Sequence, residues 1–206
     1  MVREQIEARG VRDPRVLAAM RAVPRHRFVP EHVARGAHAD HPLPIGAGQT
    51  ISQPYIVAAM AEALELAGDE RVLEVGTGSG YMAAVLSLLC REVCGVELDP
   101  DLHRRSVQLL AELGQGSVRL HCGDGALGWP EPASFDAILL SCAAPALPPE
   151  LWAQLAVGGR IILPLGPPDT TQELVLVRKT PEGGVFHRLM GVVFVPLRRG
   201  TLHSDR

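Results

Sequence analysis

The chain has 206 residues, 47% of them hydrophobic and 21% charged, with a formal charge of −3. That size and apolar share suffice for a hydrophobic core and exclude a disordered or coiled-coil chain. The mild negative balance excludes the electrostatic footprint of duplex nucleic-acid binding, and no apolar run reaches the ~18 residues that span a bilayer.

Asparagine is absent, and of the 20 basic residues only Lys179 is a lysine. Codon bias in a GC-rich genome accounts for both, and avoidance of heat-labile amides is a second reading. The stretch from Met1 to Gly10 is charged from Arg3 onward and lacks the apolar core of a signal peptide, so a soluble cytoplasmic protein is expected. No membrane or nucleic-acid partner is expected, and a monomer is expected as well. Cys90, Cys94, Cys122 and Cys142 show neither a C-x-x-C pair nor zinc spacing and are expected as buried free thiols. His32, His38, Asp40 and His41 crowd together among prolines without helical i, i+4 spacing, so no metal site is expected.

In chain order, Asp13-Pro14 is an N-cap with proline at N1, opening a helix through Val16, Leu17 and Met20 that Pro24 ends. Glycine and proline recur from Pro30 to Pro54, which predicts a long ordered loop rather than helix or strand. Ile56, Met60, Leu64 and Leu66 begin an amphipathic helix ending near Gly68.

From Arg71 the pattern becomes strand, turn, helix, repeated, which predicts a parallel sheet with helices on both faces. The strands are Val72–Val75, Glu92–Glu97, Val118–Cys122, Phe135–Leu140 and Arg160–Pro164; the helices are Tyr81–Leu89, Pro100–Leu113 and Pro149–Leu155, the last stopped at Gly158-Gly159. Glu173–Lys179 and Val185–Val195, joined by the turn sequence Pro181-Glu182-Gly183-Gly184, are expected to close the sheet as an antiparallel pair.

The first strand feeds Gly76-Thr77-Gly78-Ser79-Gly80. Glycines there let backbone approach a ligand and aim the next helix at it. The dinucleotide fingerprint G-x-G-x-x-G is not met, because Tyr81 stands at its sixth position, and the G-K-[ST] of a phosphate loop is absent. Glu97 ends the second strand and Asp124 follows the third in Gly123-Asp124-Gly125. Singly, these are a tight turn, a solvated strand-end charge and a turn former; their order along the chain makes them support one another.

Glu74-Val75-Gly76-Thr77-Gly78-Ser79-Gly80 resembles the S-adenosylmethionine loop of class I methyltransferases. The front of the chain is more specific. Val23-Pro24-Arg25-His26-Arg27-Phe28-Val29-Pro30, Pro42-Leu43-Pro44-Ile45-Gly46 and Gly48-Gln49-Thr50-Ile51-Ser52-Gln53-Pro54 resemble the protein-L-isoaspartate O-methyltransferases, and the likeness continues through Gly123–Trp129, Ala143-Ala144-Pro145 and Phe194–Leu197. Met82 and Arg198-Arg199 depart from that pattern.

The resemblance implies an α/β fold, a doubly wound and mostly parallel seven-stranded sheet of the class I methyltransferase type with an N-terminal helical and loop extension (1–68) on an α/β core (69–206), all one domain. It implies last strands ordered unlike those of other class I methyltransferases. It implies methyl transfer from S-adenosylmethionine, leaving S-adenosylhomocysteine, to the α-carboxylate of L-isoaspartyl residues in peptides and proteins. Ser52 is then the catalytic residue. Thr50, Ile51, Gln53, Glu74, Gly76, Thr77, Gly78, Ser79, Gly80, Glu97, Leu98, Asp124 and Gly125 hold the cofactor, with Glu97 on the ribose and Asp124 near the adenine; Val195, Pro196 and Leu197 pair with the substrate main chain. Two other readings stand beside this one: a relative esterifying normal aspartate in a dedicated peptide, and a cofactor-binding sensor with a silent acceptor site.

Overall fold

Two helical turns, Val2–Ile6 and Glu7–Arg9, lead into α1 (Pro14–Ala22) in the computed structural model, which describes residues 1–168 and 170–200. Asp13 caps α1 by accepting from the Arg15 N–H at 2.8 Å, with Pro14 in the first turn. Turns of 3-10 helix follow at Arg25–Phe28 and Glu31–Gly36.

Residues 30–54, expected as a loop without strands, contain an antiparallel hairpin of β1 (Leu43–Gly46) and β2 (Gln49–Ile51). Ala47 and Gly48 both have positive φ, 53° and 68°. A two-residue hairpin turn of type I′ requires this at both central positions, and alanine there hides the usual Asn-Gly or Gly-Gly signal.

The next helix, α2 (Pro54–Ala63), stops short of the expected Gly68. Its end is satisfied by another route: the Arg160 guanidinium donates to the carbonyls of Leu64 and Glu65, and Glu65 takes a positive φ of 48°. Closing the last carbonyls with a distant side chain removes the need for a further turn.

The main sheet is built from β3 (Arg71–Val75), β4 (Glu92–Glu97), β5 (Val118–Cys122), β6 (Phe135–Leu140), β7 (Leu155–Leu165), β8 (Gln172–Thr180) and β9 (Gly183–Val192), in the order β5-β4-β3-β6-β7-β8-β9. Pairing is parallel from β5 to β7, then antiparallel for β7–β8 and β8–β9. The second antiparallel pair, beyond the one expected, follows from length: residues 166–171 are too few for a parallel crossover of about a dozen residues. The helices α3 (Tyr81–Leu86), α4 (Pro100–Glu112) and α5 (Pro149–Gln154) connect the parallel strands. Gly158-Gly159 do not stop a helix; they lie inside β7, beside a slip in its register with β6.

Alternate residues of the central strands enter two cores. Val72, Val93, Ala137, Leu139 and Ile162 pack with α1, α2, α3 and α4; Leu73, Val75, Val96, Ile138, Leu140 and Ile161 pack with α5 and Trp129. Ile6, Leu17 and Met20 from the N-terminal segment share the first core with Tyr81 and Leu110. Arg25 is wholly buried at that junction, where its Nε donates to the Ala37 carbonyl at 2.7 Å and its guanidinium lies 4.9 Å from the Tyr81 ring centre.

The lone lysine is a clamp: Lys179 Nζ donates to the Trp152 and Leu155 carbonyls, both at 2.7 Å, where α5 turns into β7. Cys90, Cys94 and Cys142 are buried thiols as expected, but Cys122 is exposed because β5 is the sheet's edge. Among the described residues no helix is long and apolar enough to cross a membrane, and no group of three His, Cys, Asp or Glu is placed to hold a metal.

Candidate active site

A cleft of about 870 Å³, counting its open mouth, lies at the carboxyl ends of β3, β4 and β6. Its floor is the turn after β3. Gly76, Gly78 and Gly80 take positive φ of 81°, 53° and 85°, a path that side chains oppose and that lets the turn double back into α3. The Gly76 N–H donates to the Val96 carbonyl at 2.8 Å, which seats the turn on β4.

Glu97, only 7% exposed, closes one side. Its Oε2 accepts from the Gly78 N–H at 2.6 Å and its Oε1 from the Asp99 N–H at 2.9 Å. Glu74 lies deeper and fully buried. Its Oε1 accepts from the Ser141 hydroxyl at 2.9 Å, and its Oε2 has no partner among the described residues. Burial pushes the Glu74 carboxyl up to about 8, and the nearby Glu97 adds to the rise against the Ser141 bond.

The hairpin forms the opposite wall. A methyl group at Gly78 would sit 3.1 Å from Ile45 Cδ1, and the Arg105 guanidinium donates to the Ile45 carbonyl at 3.1 Å, which holds the hairpin against α4. Thr50, Ile51 and Ser52 therefore line the same cleft as the glycine turn. The Ser52 hydroxyl makes no hydrogen bond to its own loop, whereas the neighbouring Gln53 does, through Asp40.

At the mouth, the Ala143 N–H donates to the Val195 carbonyl at 2.8 Å and the Leu197 N–H to the Ala143 carbonyl at 2.7 Å. One edge of Val195-Pro196-Leu197 is thus already paired within the protein. The strand expected through Val195 ends at Val192, because the Phe194 N–H turns to the Gln172 side chain at 2.9 Å.

The family model for protein-L-isoaspartate(D-aspartate) O-methyltransferase matches residues 1–202. The chain belongs to this family. It is 60% identical to protein-L-isoaspartate O-methyltransferase 2 of Anaeromyxobacter sp. (strain Fw109-5) over 200 residues, covering 97% of this chain and 82% of that one. A solved protein-L-isoaspartate O-methyltransferase superposes with a TM-score of 0.83 at 27% identity, over 95% of this chain and 65% of that one, so the chain spans under two thirds of that structure. A structure from Plasmodium falciparum, described as a protein-L-isoaspartate O-methyltransferase in complex with S-adenosyl-L-homocysteine, gives a TM-score of 0.80 at 27% identity over 97% of both chains.

In this chain, the cleft brings together Thr50, Ile51, Ser52, Glu74, Gly76, Thr77, Gly78, Ser79, Glu97, Leu98, Gly125, Val195, Pro196 and Leu197. Gln53, Gly80 and Asp124 lie off its lining. Gln53 spends its amide on Asp40 at 2.8 Å. Gly80 packs on α4, where a methyl group would meet Leu110 Cδ1 at 3.1 Å. Asp124 accepts from the Ala126 N–H at 2.9 Å and the Gly200 N–H at 2.8 Å, shaping the turn that presents Gly125.

The sequence reading does not assign Ser141, Cys142, Asp99 or Arg198 to the site, although they also line the cleft. Ser141 directly follows β6, and the ends of parallel strands are where such folds bind ligands, so its position carried the signal.

The lining suits S-adenosylmethionine, a cation without phosphate. Glu74, Glu97 and Asp99 supply acidic groups, and the buried Thr77 hydroxyl and Glu74 Oε2 have polar capacity unspent among the described residues.

Proposed function

We propose that this chain, acting as one domain over 1–206, transfers a methyl group from S-adenosylmethionine to the α-carboxylate of L-isoaspartyl residues in peptides and proteins, initiating their repair through a succinimide. The observation that carries this reading is Ser52, whose hydroxyl has no loop partner, lining the same cleft as the glycine turn and Glu97. When bound, S-adenosylmethionine supplies an electrophilic methyl on a sulfonium.

An α-carboxylate is ionised at neutral pH, so no general base is needed and rate comes from alignment. Ser52 donates its hydroxyl to one carboxylate oxygen and fixes its approach. Thr50 and Ile51 flank the donor group. Each Glu97 oxygen accepts one backbone N–H and keeps a lone pair for a ribose hydroxyl. Leu98 and Gly125 bound the adenine end, with Asp124 at its rim. Alternation along Val195-Pro196-Leu197 leaves the Pro196 carbonyl on the edge away from Ala143, where it can accept from a peptide N–H. Recognition through main chain tolerates many surrounding sequences.

The formal charge of −3 leaves no electrostatic footprint for a nucleic-acid partner, and we infer separately a cytoplasmic monomer. Methyl transfer to paired peptides, one with isoaspartate and one with aspartate at a single site, tests the activity. Labelling of the isoaspartyl peptide alone is expected; equal labelling overturns the specificity, and labelling of neither overturns the activity.

A further inference from the structure

Four groups from three separate segments converge just beyond Ser52. Asp40 Oδ2 accepts from Arg9 Nη1 at 2.6 Å and from the Gln53 side-chain amide at 2.8 Å, and Asp40 Oδ1 accepts from the Tyr55 N–H at 3.2 Å. The Gln53 amide also reaches the Asp40 carbonyl at 3.0 Å, and the Arg9 guanidinium lies 3.5 Å from the Tyr55 ring centre. The Asp40 side chain is 21% exposed and that of Arg9 45%.

The start of α2 explains the need for this arrangement. Gln53 is its N-cap and makes no capping bond, so the first amide hydrogens lack the usual local acceptor. Asp40 supplies a carboxylate from thirteen residues upstream and holds both Gln53 and Tyr55. Ser52 immediately precedes this anchored pair and follows β2, which is fixed in the hairpin. Both ends of the Ser52 link are therefore held, one by strand pairing and one by Asp40.

We propose that Asp40, oriented by Arg9, is a positioning residue for the reaction: it sets the Ser52 hydroxyl against the acceptor carboxylate by gripping Gln53 and Tyr55. This rests on the reading of Ser52 as the carboxylate's hydrogen-bond donor. It also assigns Gln53 a role through Asp40 rather than on the cofactor, and gives a purpose to Arg9. A charge-assisted bond to a carboxylate is among the stronger ones, and a small misplacement of a reacting group lowers rate steeply.

A double-mutant cycle tests it, with kcat on an isoaspartyl peptide at saturating cofactor and amide hydrogen exchange on the cofactor-free protein. Ser52→Ala is expected to lower kcat by about 10-fold, and Asp40→Ala by a similar factor when Ser52 is present. In the Ser52→Ala background, Asp40→Ala is expected to cost less than about 2-fold, because its effect passes through the missing hydroxyl. Asp40→Asn, which keeps one acceptor oxygen, recovers part of the loss. Exchange at the Tyr55 amide accelerates in Asp40→Ala and less in Asp40→Asn. Arg9→Gln, a milder variant, shows the same non-additivity with a smaller factor.

An equal loss in both backgrounds means general damage to the fold and overturns the proposal, as does an Asp40→Ala enzyme with unchanged kcat. If Ser52→Ala alone leaves kcat unchanged, the Ser52 reading fails first and the proposal falls with it.

Discussion

Gly78 and Glu97 are joined at the floor of the cleft by a 2.6 Å hydrogen bond from backbone N–H to carboxylate Oε2. The bond ties the glycine turn to the end of β4, so the group proposed to hold the ribose also fixes the floor beneath it. Glu97→Ala removes both functions. Cofactor affinity by calorimetry is expected to fall roughly 10- to 100-fold, the loss of one or two hydrogen bonds to a charged group at about 1.5 kcal/mol or more each. Glu97→Gln keeps the shape and loses less. Unchanged affinity in both variants removes Glu97 from the cofactor site.

Glu74 makes the empty enzyme sensitive to pH. Its carboxyl is raised by burial from 4.5 to about 8, so the unfolded chain releases this proton first. The folded state is therefore favoured fully below pH 4.5, and that contribution is lost as pH rises toward about 8. Urea unfolding of wild type and Glu74→Gln across this window is expected to show wild-type stability falling relative to the variant by several kcal/mol. A cationic ligand beside Glu74 favours the ionised form, so S-adenosylmethionine binding releases a proton near neutrality. Calorimetry in buffers of different ionisation enthalpy reads that proton, and a buffer-independent heat contradicts it.

How much of this was legible in the sequence depends on the range of the interaction. The glycine turn, Glu97 and the strands from Val118 to Cys122 and Phe135 to Leu140 were readable because each is set by local pattern. The β1–β2 hairpin was not, since its turn places alanine at a positive φ that the rest of the fold enforces. The end of α2 escaped because its cap is Arg160, more than ninety residues away. The resemblance places Gln53 on the cofactor, yet its partner Asp40 is brought in by the preceding loop. Ser141 carries a positional signal at the end of β6, but its bond to Glu74 forms only when β3 and β6 pair.

Gly95, at the centre of β4, is a packing requirement of the site. A methyl group there would come within 2.4 Å of Thr77 Cγ2 and 2.6 Å of Leu120 Cδ2. The Thr77 methyl thus fills the space over Gly95 and holds the glycine turn down on β4. Gly95→Ala is expected to cost about 1–3 kcal/mol in urea unfolding, the range for overpacking a tight interior. It should also weaken cofactor binding, because Thr77 is pushed toward the cleft. Gly95→Ala combined with Thr77→Ser, which deletes that methyl, recovers part of the stability; no recovery means that Leu120 alone sets the constraint.

The absence of asparagine leaves Asp124-Gly125 as the only Asp-Gly step, and the fold restrains it. Isomerisation begins when the Gly125 nitrogen attacks the Asp124 side-chain carbonyl carbon. Both carboxylate oxygens are held, Oδ1 by the Ala126 N–H at 2.9 Å and Oδ2 by the Gly200 N–H at 2.8 Å, and Gly125 is buried against Val75, where a methyl group would approach Cγ1 at 2.6 Å. Reaching the attacking geometry requires the carboxyl to leave both donors. Folded protein aged by heat below its unfolding transition is therefore expected to accumulate little isoaspartate at Asp124. Ageing in urea, where those bonds are lost, should make it the fastest site in the chain. Peptide mapping after each treatment distinguishes the two conditions. Equal rates at Asp124 with and without denaturant mean that the fold gives no protection, and the missing asparagines then reflect codon usage alone.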